Sequence, residues 1–179
     1  LRAFVYRDLG ETKQQLEDIN AALDLRPLDP DLMKWRASLY LETEQFQKAI
    51  EDLDFVESVQ NDAEVQMYKG YAYYGLDQVE RALFFMNKAI ELDATYLAPY
   101  LYSGSFLLEK GEYQQALTFL NLALRLDPNN ISALFYKGVA LVELEKFEEG
   151  CSCLNRAFYA GEDGASDYLE QYCFGSPHQ

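Results

Sequence analysis

The sequence predicts an all-α fold built from repeated pairs of short antiparallel helices, and three observations point there. Gly70, Gly104 and Gly138 recur at one constant interval, and Ala89, Ala123 and Ala157 keep the same spacing. The stretch Met-Asn-Lys-Ala-Ile-Glu-Leu-Asp at 86–93 returns as Leu-Asn-Leu-Ala-Leu-Arg-Leu-Asp at 120–127, and in degraded form at 19–26. Residues that start and stop helices fall between the apolar stretches: Pro27, Pro30 and Pro128, with Asp127-Pro128-Asn129-Asn130 as a turn cluster. A fixed period of about 34 residues, with two helical patterns inside it, marks a repeat array.

Taken in order, helices are expected at about 1–9, 12–25, 30–43, 46–59, 63–76, 79–92, 97–110, 113–126, 131–144 and 147–160. Gly10 and Gly111 are expected in the short turn inside a pair; Glu44, Asp77 and Glu145 occupy the matching turns, where glycine would be more comfortable. Pro99 falls in the first turn of its helix, where a missing N–H costs little. After Gly161-Glu162-Asp163-Gly164 the pattern lapses. Residues 165–174 are expected to form one short capping helix, with Tyr168, Leu169, Tyr172 and Phe174 on the end of the stack and 175–179 as a frayed tail. The chain opens inside the first helix of a pair and without an initiator Met, so it reads as an excised or processed form with a repeat or cap before Leu1.

The clearest copy of the pattern is Tyr100, Gly104, Leu107, Ala116, Leu120, Ala123 and Pro128. The next is Leu134, Gly138, Leu141, Gly150, Leu154 and Ala157, and the one before is Gln66, Gly70, Tyr73, Ala82, Met86 and Ala89, with Ala94 in place of proline. An earlier copy, Met33, Ala37, Tyr40, Ala49, Leu53 and Val56, is offset by one residue beside an extra Leu28-Asp29, and a half copy opens the chain with Ala3, Tyr6, Gly10, Gln15, Ile19, Ala22 and Pro27. This pattern resembles the tetratricopeptide repeat. Two short helices approach closely only where small residues sit at their crossing, and large residues fill the gaps between pairs. No pair buries its apolar faces alone, so copies are expected to stack into a right-handed superhelical solenoid with a concave side. The expected organisation is an array over 1–160 (half repeat 1–29, repeats 30–62, 63–96, 97–130 and 131–160), followed by a cap and tail over 161–179.

Composition excludes several functions. Thirty acidic against 15 basic residues give a net charge of -15, which repels nucleic acid and anionic membranes and favours a basic or neutral partner. No apolar run nears the roughly 18 residues a membrane helix needs, so no membrane insertion is expected. His178 is the single histidine, so a histidine triad or multi-histidine metal site is excluded. There is no glycine-rich phosphate loop. The acidic cluster Glu143, Glu145, Glu148 and Glu149 reads as a solvated turn, and Asp52 and Asp54 point apart around Leu53. No catalytic, cofactor or metal site is expected. Cys151, Cys153 and Cys173 lack the spacing of a disulfide framework and read as free thiols in a reducing, cytoplasmic setting, with a Cys151–Cys173 or Cys153–Cys173 bridge as the alternative.

Binding remains. The resemblance implies that the first helix of each pair lines a concave groove. Its walls would be Lys34, Ser38 and Leu41; Met67, Tyr71 and Tyr74; Leu101, Ser105 and Leu108; and Phe135, Val139 and Val142, at the i, i+4, i+7 spacing of one helix face. Relatives that clamp an acidic carboxyl terminus use Lys, Arg and Asn there, whereas this groove offers only Lys34. Its rim would be acidic, from Asp31, Glu42, Glu64, Glu109 and Glu143. The expected role is a non-enzymatic scaffold for a protein or peptide with apolar anchors and some basic residues. Three readings compete: the apolar positions are core, the array self-associates as a homo-oligomer or fills the groove with its own chain, or it serves an enzyme whose catalytic part lies elsewhere.

Overall fold

The computed structural model describes residues 9–174, with side chains from Thr12 onward. The chain divides into two compact units, Leu1–Ala94 and Thr95–Gln179. The first holds α1 (Leu9–Leu25), α2 (Pro30–Glu42), α3 (Phe46–Val59), α4 (Ala63–Gly75) and α5 (Val79–Leu92). The second holds α6 (Leu97–Glu109), α7 (Tyr113–Leu126), α8 (Ile131–Glu143), α9 (Phe147–Tyr159) and α10 (Ala165–Tyr168), which runs on as a π-helical turn, Leu169–Phe174. Among the described residues there is no strand.

Local chemistry explains the helix starts. Asp29 caps α2 by accepting from the Asp31 and Leu32 amides at 3.1 Å each, and Pro30 sits at the first helical position. Asp62 caps α4 through Val65 N–H at 2.8 Å, and Asn130 caps α8 through Ala133 N–H at 3.0 Å. The turn inside each pair is one motif repeated. After α2, Gln45 N–H donates to Tyr40 C=O at 2.8 Å and Glu44 N–H to Leu41 C=O at 3.2 Å. The same two bonds recur at Asp77–Gln78, Gly111–Glu112 and Glu145–Lys146. This Schellman closure requires a left-handed residue. Gly111 takes it at φ 77°, but Glu44, Asp77 and Glu145 take it at 57°, 57° and 59°, as the sequence suggested with strain.

One expected turn is absent. Gly10 lies inside α1, which runs unbroken from Leu9. A lone glycine costs a helix only about 1 kcal/mol, and the Glu-Thr-Lys-Gln-Gln-Leu that follows carries no breaker. The half copy that opens the chain therefore has no turn at Gly10. Its residues 1–8, and residues 175–179 with His178, for which the sequence suggested a tail, lie outside the described residues.

The crossings inside pairs follow the repeat. A Cβ on Gly70 would meet Met86 Cε and Ala82 O, each at 3.0 Å. One on Gly104 would meet Leu120 Cγ at 2.7 Å, and one on Gly138 would meet Leu154 Cγ at 2.7 Å. Met86, Leu120 and Leu154 are fully buried.

The C-terminal helix begins in register, since the successive helix starts Leu97, Ile131 and Ala165 keep the interval of the repeat. Tyr172 then stands where the earlier copies have Gly104 and Gly138. A tyrosine there blocks the close crossing that a following helix needs. Its ring instead stacks on Phe147 at 6.3 Å, and its hydroxyl donates to Glu143 at 3.2 Å. Ala165 and Leu169 are buried with Leu134, Val139, Val142, Leu154 and Ala157. Phe174 departs from the expectation: it is 70% exposed, beyond the end of the covered face. The thiols depart as well. Cys151 and Cys173 form a disulfide, because the cap lays Cys173 on α9, while Cys153, on another side of that helix, stays free.

Candidate partner-binding faces

In the first unit the face predicted from α2 and α4 splits by depth. Leu41 and Met67 are buried at 7% and 6% exposure, and so support the face without presenting themselves. Lys34, Ser38, Tyr71 and Tyr74 are half-buried. Lys34 Nζ lies 2.9 Å from Glu64 and 3.2 Å from Asp62. Burial pulls its pKa down, but these two carboxylates more than offset this and hold it above the ordinary lysine value. The one basic residue of the face is thus held by acids from the next helix pair. Ser38 Oγ donates to Trp35 C=O at 2.8 Å. Tyr71 packs edge-on to Phe46 at 6.4 Å, and burial, helped by Glu44, pushes its phenol pKa up, so the hydroxyl stays neutral. Glu64 also accepts from Tyr68 at 3.2 Å, while Asp31 and Glu42 are exposed.

In the second unit Leu101, Leu108 and Phe135 are half-buried, whereas Ser105, Val139 and Val142 are buried. Ser105 Oγ donates to Tyr102 C=O at 3.1 Å. Val142 lies against Gly150, where a Cβ would come within 2.6 Å of its Cγ1. Val139 shares a buried cluster with Ala165 and Leu169, and Phe135 meets Tyr168 edge-on at 5.8 Å. At these positions the chain's own C-terminal helix supplies the neighbour. Leu41, Met67, Ser105, Val139 and Val142 are therefore not open to a ligand. The i, i+4, i+7 spacing identifies a shared face but not its depth. Glu109 and Glu143 are exposed.

The principal polar constellation was not foreseen. Lys69 is buried on α4, within 2.6 Å of Asp54 and in contact with Glu57 on α3, and its Nζ lies 4.7 Å from the centre of the Phe85 ring. Lys88 stands 3.5 Å from Glu57. Burial depresses the Lys69 pKa, but the bonds from Asp54 and Glu57 outweigh it and raise the value. Burial likewise raises Glu57, and Lys69 and Gln66 more than reverse this, leaving its carboxyl below the usual glutamate range. Asp52 and Asp54 do point apart: Asp52 takes a two-pronged bond from Arg36 at 2.7 Å, and Asp54 pairs with Lys69. The available signal was Lys69 beside Gly70 at a crossing, where a lysine needs acids. Trp35, the single tryptophan, is 52% exposed. Among the described residues no group of His, Cys, Asp and Glu could hold a metal, and no helix is long and apolar enough to cross a membrane.

Residues 76–157, less than half of the chain, match the family model of subunit 3 of the anaphase-promoting complex (cyclosome). No curated protein sequence matches significantly. Among solved structures, MamA is similar at 19% identity and a TM-score of 0.71, over 96% of this chain and 91% of that one. YrrB, described as a TPR protein with an unusual peptide-binding site, gives 19% and 0.70 over 91% and 85%. The first TPR of Spaghetti (RPAP3), bound to an HSP90 peptide, gives 21% and 0.60 over 62% and 90%. At such identities the likeness is one of fold. Helix pairs at a nearly constant interval, small residues where they cross, and these structural likenesses give the chain the stacked helix-pair fold of tetratricopeptide-repeat structures.

Proposed function

We propose that the chain is a non-enzymatic scaffold that holds a peptide or helix of another protein on the α2–α4 face of the first unit. Ser38, Tyr71 and Tyr74 make the contact, with Leu41 and Met67 beneath them. The observation that carries this reading is the pair of half-buried tyrosines beside a lysine already held by Asp62 and Glu64. Tyrosine offers a large apolar ring with a polar tip, at little cost in conformational entropy. With its lysine neutralised and Asp31 and Glu42 exposed nearby, the face is acidic and suits a segment with apolar anchors and basic flanks, not an acidic carboxyl terminus. Leu101 and Leu108 offer apolar contacts in the second unit.

The test is selection from a random peptide library displayed on phage, followed by titration of the enriched peptides. Enriched sequences should carry Leu or Phe with Lys or Arg. Tyr71→Ala/Tyr74→Ala should weaken them by about tenfold or more, as loss of two aromatic anchors implies. An acidic consensus, or affinity untouched by the double substitution, overturns the reading.

A further inference from the structure

Cys151 on α9 and Cys173 at the end of the C-terminal helix are joined across 22 residues of chain. Both are half-buried, within reach of a small thiol. The helix they tether is ten residues long and is held by few groups. Ala165 and Leu169 are buried, and Tyr168 and Tyr172 are half-buried against Phe135 and Phe147. Asp167, Glu170, Gln171 and Phe174 face water. A helix so short is marginal in water by itself. Beneath it lies an apolar ledge of Leu134, Phe135, Val139, Phe147 and Leu154. In the preceding pair of the same unit, α6 and α7, the corresponding side is covered by α8.

We propose that the Cys151–Cys173 bond is a latch, and that its reduction opens this ledge to an amphipathic helix of a partner protein. The segment seated there shows the chemistry that fits. Tyr168 meets Phe135, Leu169 enters the buried cluster, and Tyr172 stacks on Phe147 while donating to Glu143. The partner helix therefore carries aromatic or leucine residues at i, i+1 and i+4, with a hydrogen-bond donor at i+4 for the Glu143 carboxylate. The inference goes beyond the α2–α4 face and does not depend on it.

The opening step needs a dithiol reductant. One thiolate attacks a sulfur of the bond, forming a mixed disulfide and releasing the other cysteine, which takes a proton. The second thiol of the reductant then displaces the bound cysteine, which is protonated in turn. The protein gains two electrons and two protons, and the reductant leaves as a cyclic disulfide. Cys153 stands aside from this exchange. It packs against Leu117, Ala140 and Leu141, and burial pushes its thiol pKa up, so little thiolate forms.

The experiment uses the full chain with Cys153→Ser, so that one pair of cysteines remains. Hydrogen–deuterium exchange is followed with and without dithiothreitol. Amides of 165–174 should exchange about tenfold faster once reduced, while α8 and α9 stay protected. The probe is a fluorescein-labelled peptide of residues 163–174 carrying Cys173→Ser. It should bind the reduced protein bearing Leu169→Asp, whose own helix is displaced, and not the oxidised protein. Protection unchanged by dithiothreitol overturns the latch. A probe that binds oxidised and reduced forms alike, or neither, overturns the docking ledge. Should Leu169→Asp fail to fold, Cys173→Ser alone carries both readouts, since it cannot close the bond.

Discussion

The two units cross their helices at the same repeat position and line the crossing differently. In the first, Gly70 faces Met86, an unbranched side chain that can swing away; in the second, Gly104 and Gly138 face Leu120 and Leu154, branched and fully buried. The neighbouring positions diverge further. Gln66 and Lys69 are buried in the first unit, where the second has Tyr100 and Ser103, then Leu134 and the half-buried Lys137. The repeat therefore fixes size where backbones meet and leaves polarity free, provided that each charge finds a partner. The first unit satisfies this with ion pairs, and the second closes its end with a disulfide-bound helix.

Enlarging the crossing should sharpen the contrast most. Gly104→Leu and Gly138→Leu should each destabilise the second unit by about 3 kcal/mol or more, because the added carbons land on Leu120 and Leu154. Gly70→Leu should cost somewhat less, since Met86 is unbranched and can shift, although the Ala82 carbonyl at 3.0 Å stays in place. The alanine series is the finer instrument. Gly70→Ala should come out roughly 1 kcal/mol milder than Gly104→Ala, as a Cβ there meets its neighbours at 3.0 Å and not 2.7 Å. Urea unfolding of the four variants decides it, and equal costs would show that both crossings are equally rigid.

The ion pairs can be broken next. Lys69→Met should cost about 2–3 kcal/mol, because the half-buried Glu57 loses its shortest ion pair and keeps only Gln66 and the more distant Lys88; Asp54, 58% exposed, is resolvated and adds little. The pH dependence follows from Glu57, whose folded pKa is depressed. Its contribution is complete above the ordinary glutamate value of about 4.3 and disappears as acid protonates it in the folded state. Stability of the wild type should therefore fall more steeply than that of Glu57→Gln below about pH 4, and parallel acid limbs would remove Glu57 from the account.

How far the sequence could be read depended on whether backbone or side chains decided the feature. The period, the pair boundaries and the one-residue offset of the α2–α3 copy follow from backbone chemistry: small residues at crossings, prolines at starts, left-handed turns. The structure keeps them: Pro30 and Ala63, which open α2 and α4, stand one position closer together than Ala63 and Leu97 or Leu97 and Ile131. Gly10 misled because a single glycine marks a turn only when the residues after it also resist helix. The α2–α4 face was legible as a face, but the depth of Leu41 and Met67 was not. Lys69 escaped because its acids, Asp54 and Glu57, lie on the preceding helix, a pairing no spacing rule anticipates. The Cys151–Cys173 bond is one of two pairings the sequence leaves open, since the meeting depends on how residues 165–174 fold back on α9.

The smallest effect tests the turns, where the units agree. Glu44, Asp77 and Glu145 hold left-handed φ values that an L side chain adopts at a cost of about 1–2 kcal/mol, and Gly111 adopts a similar value freely. Replacing Glu145 by glycine removes that strain but also loosens the unfolded chain, which returns roughly 0.5–1 kcal/mol. The net should be a gain of about 0.5 kcal/mol for Glu145→Gly, seen as a small rise in the urea midpoint with an unchanged slope. The converse, Gly111→Asp, should lose a similar amount, because a Cβ there meets nothing within 4 Å and only backbone strain is added. If the two changes shifted the midpoint in the same direction, left-handed strain would not be what separates these turns.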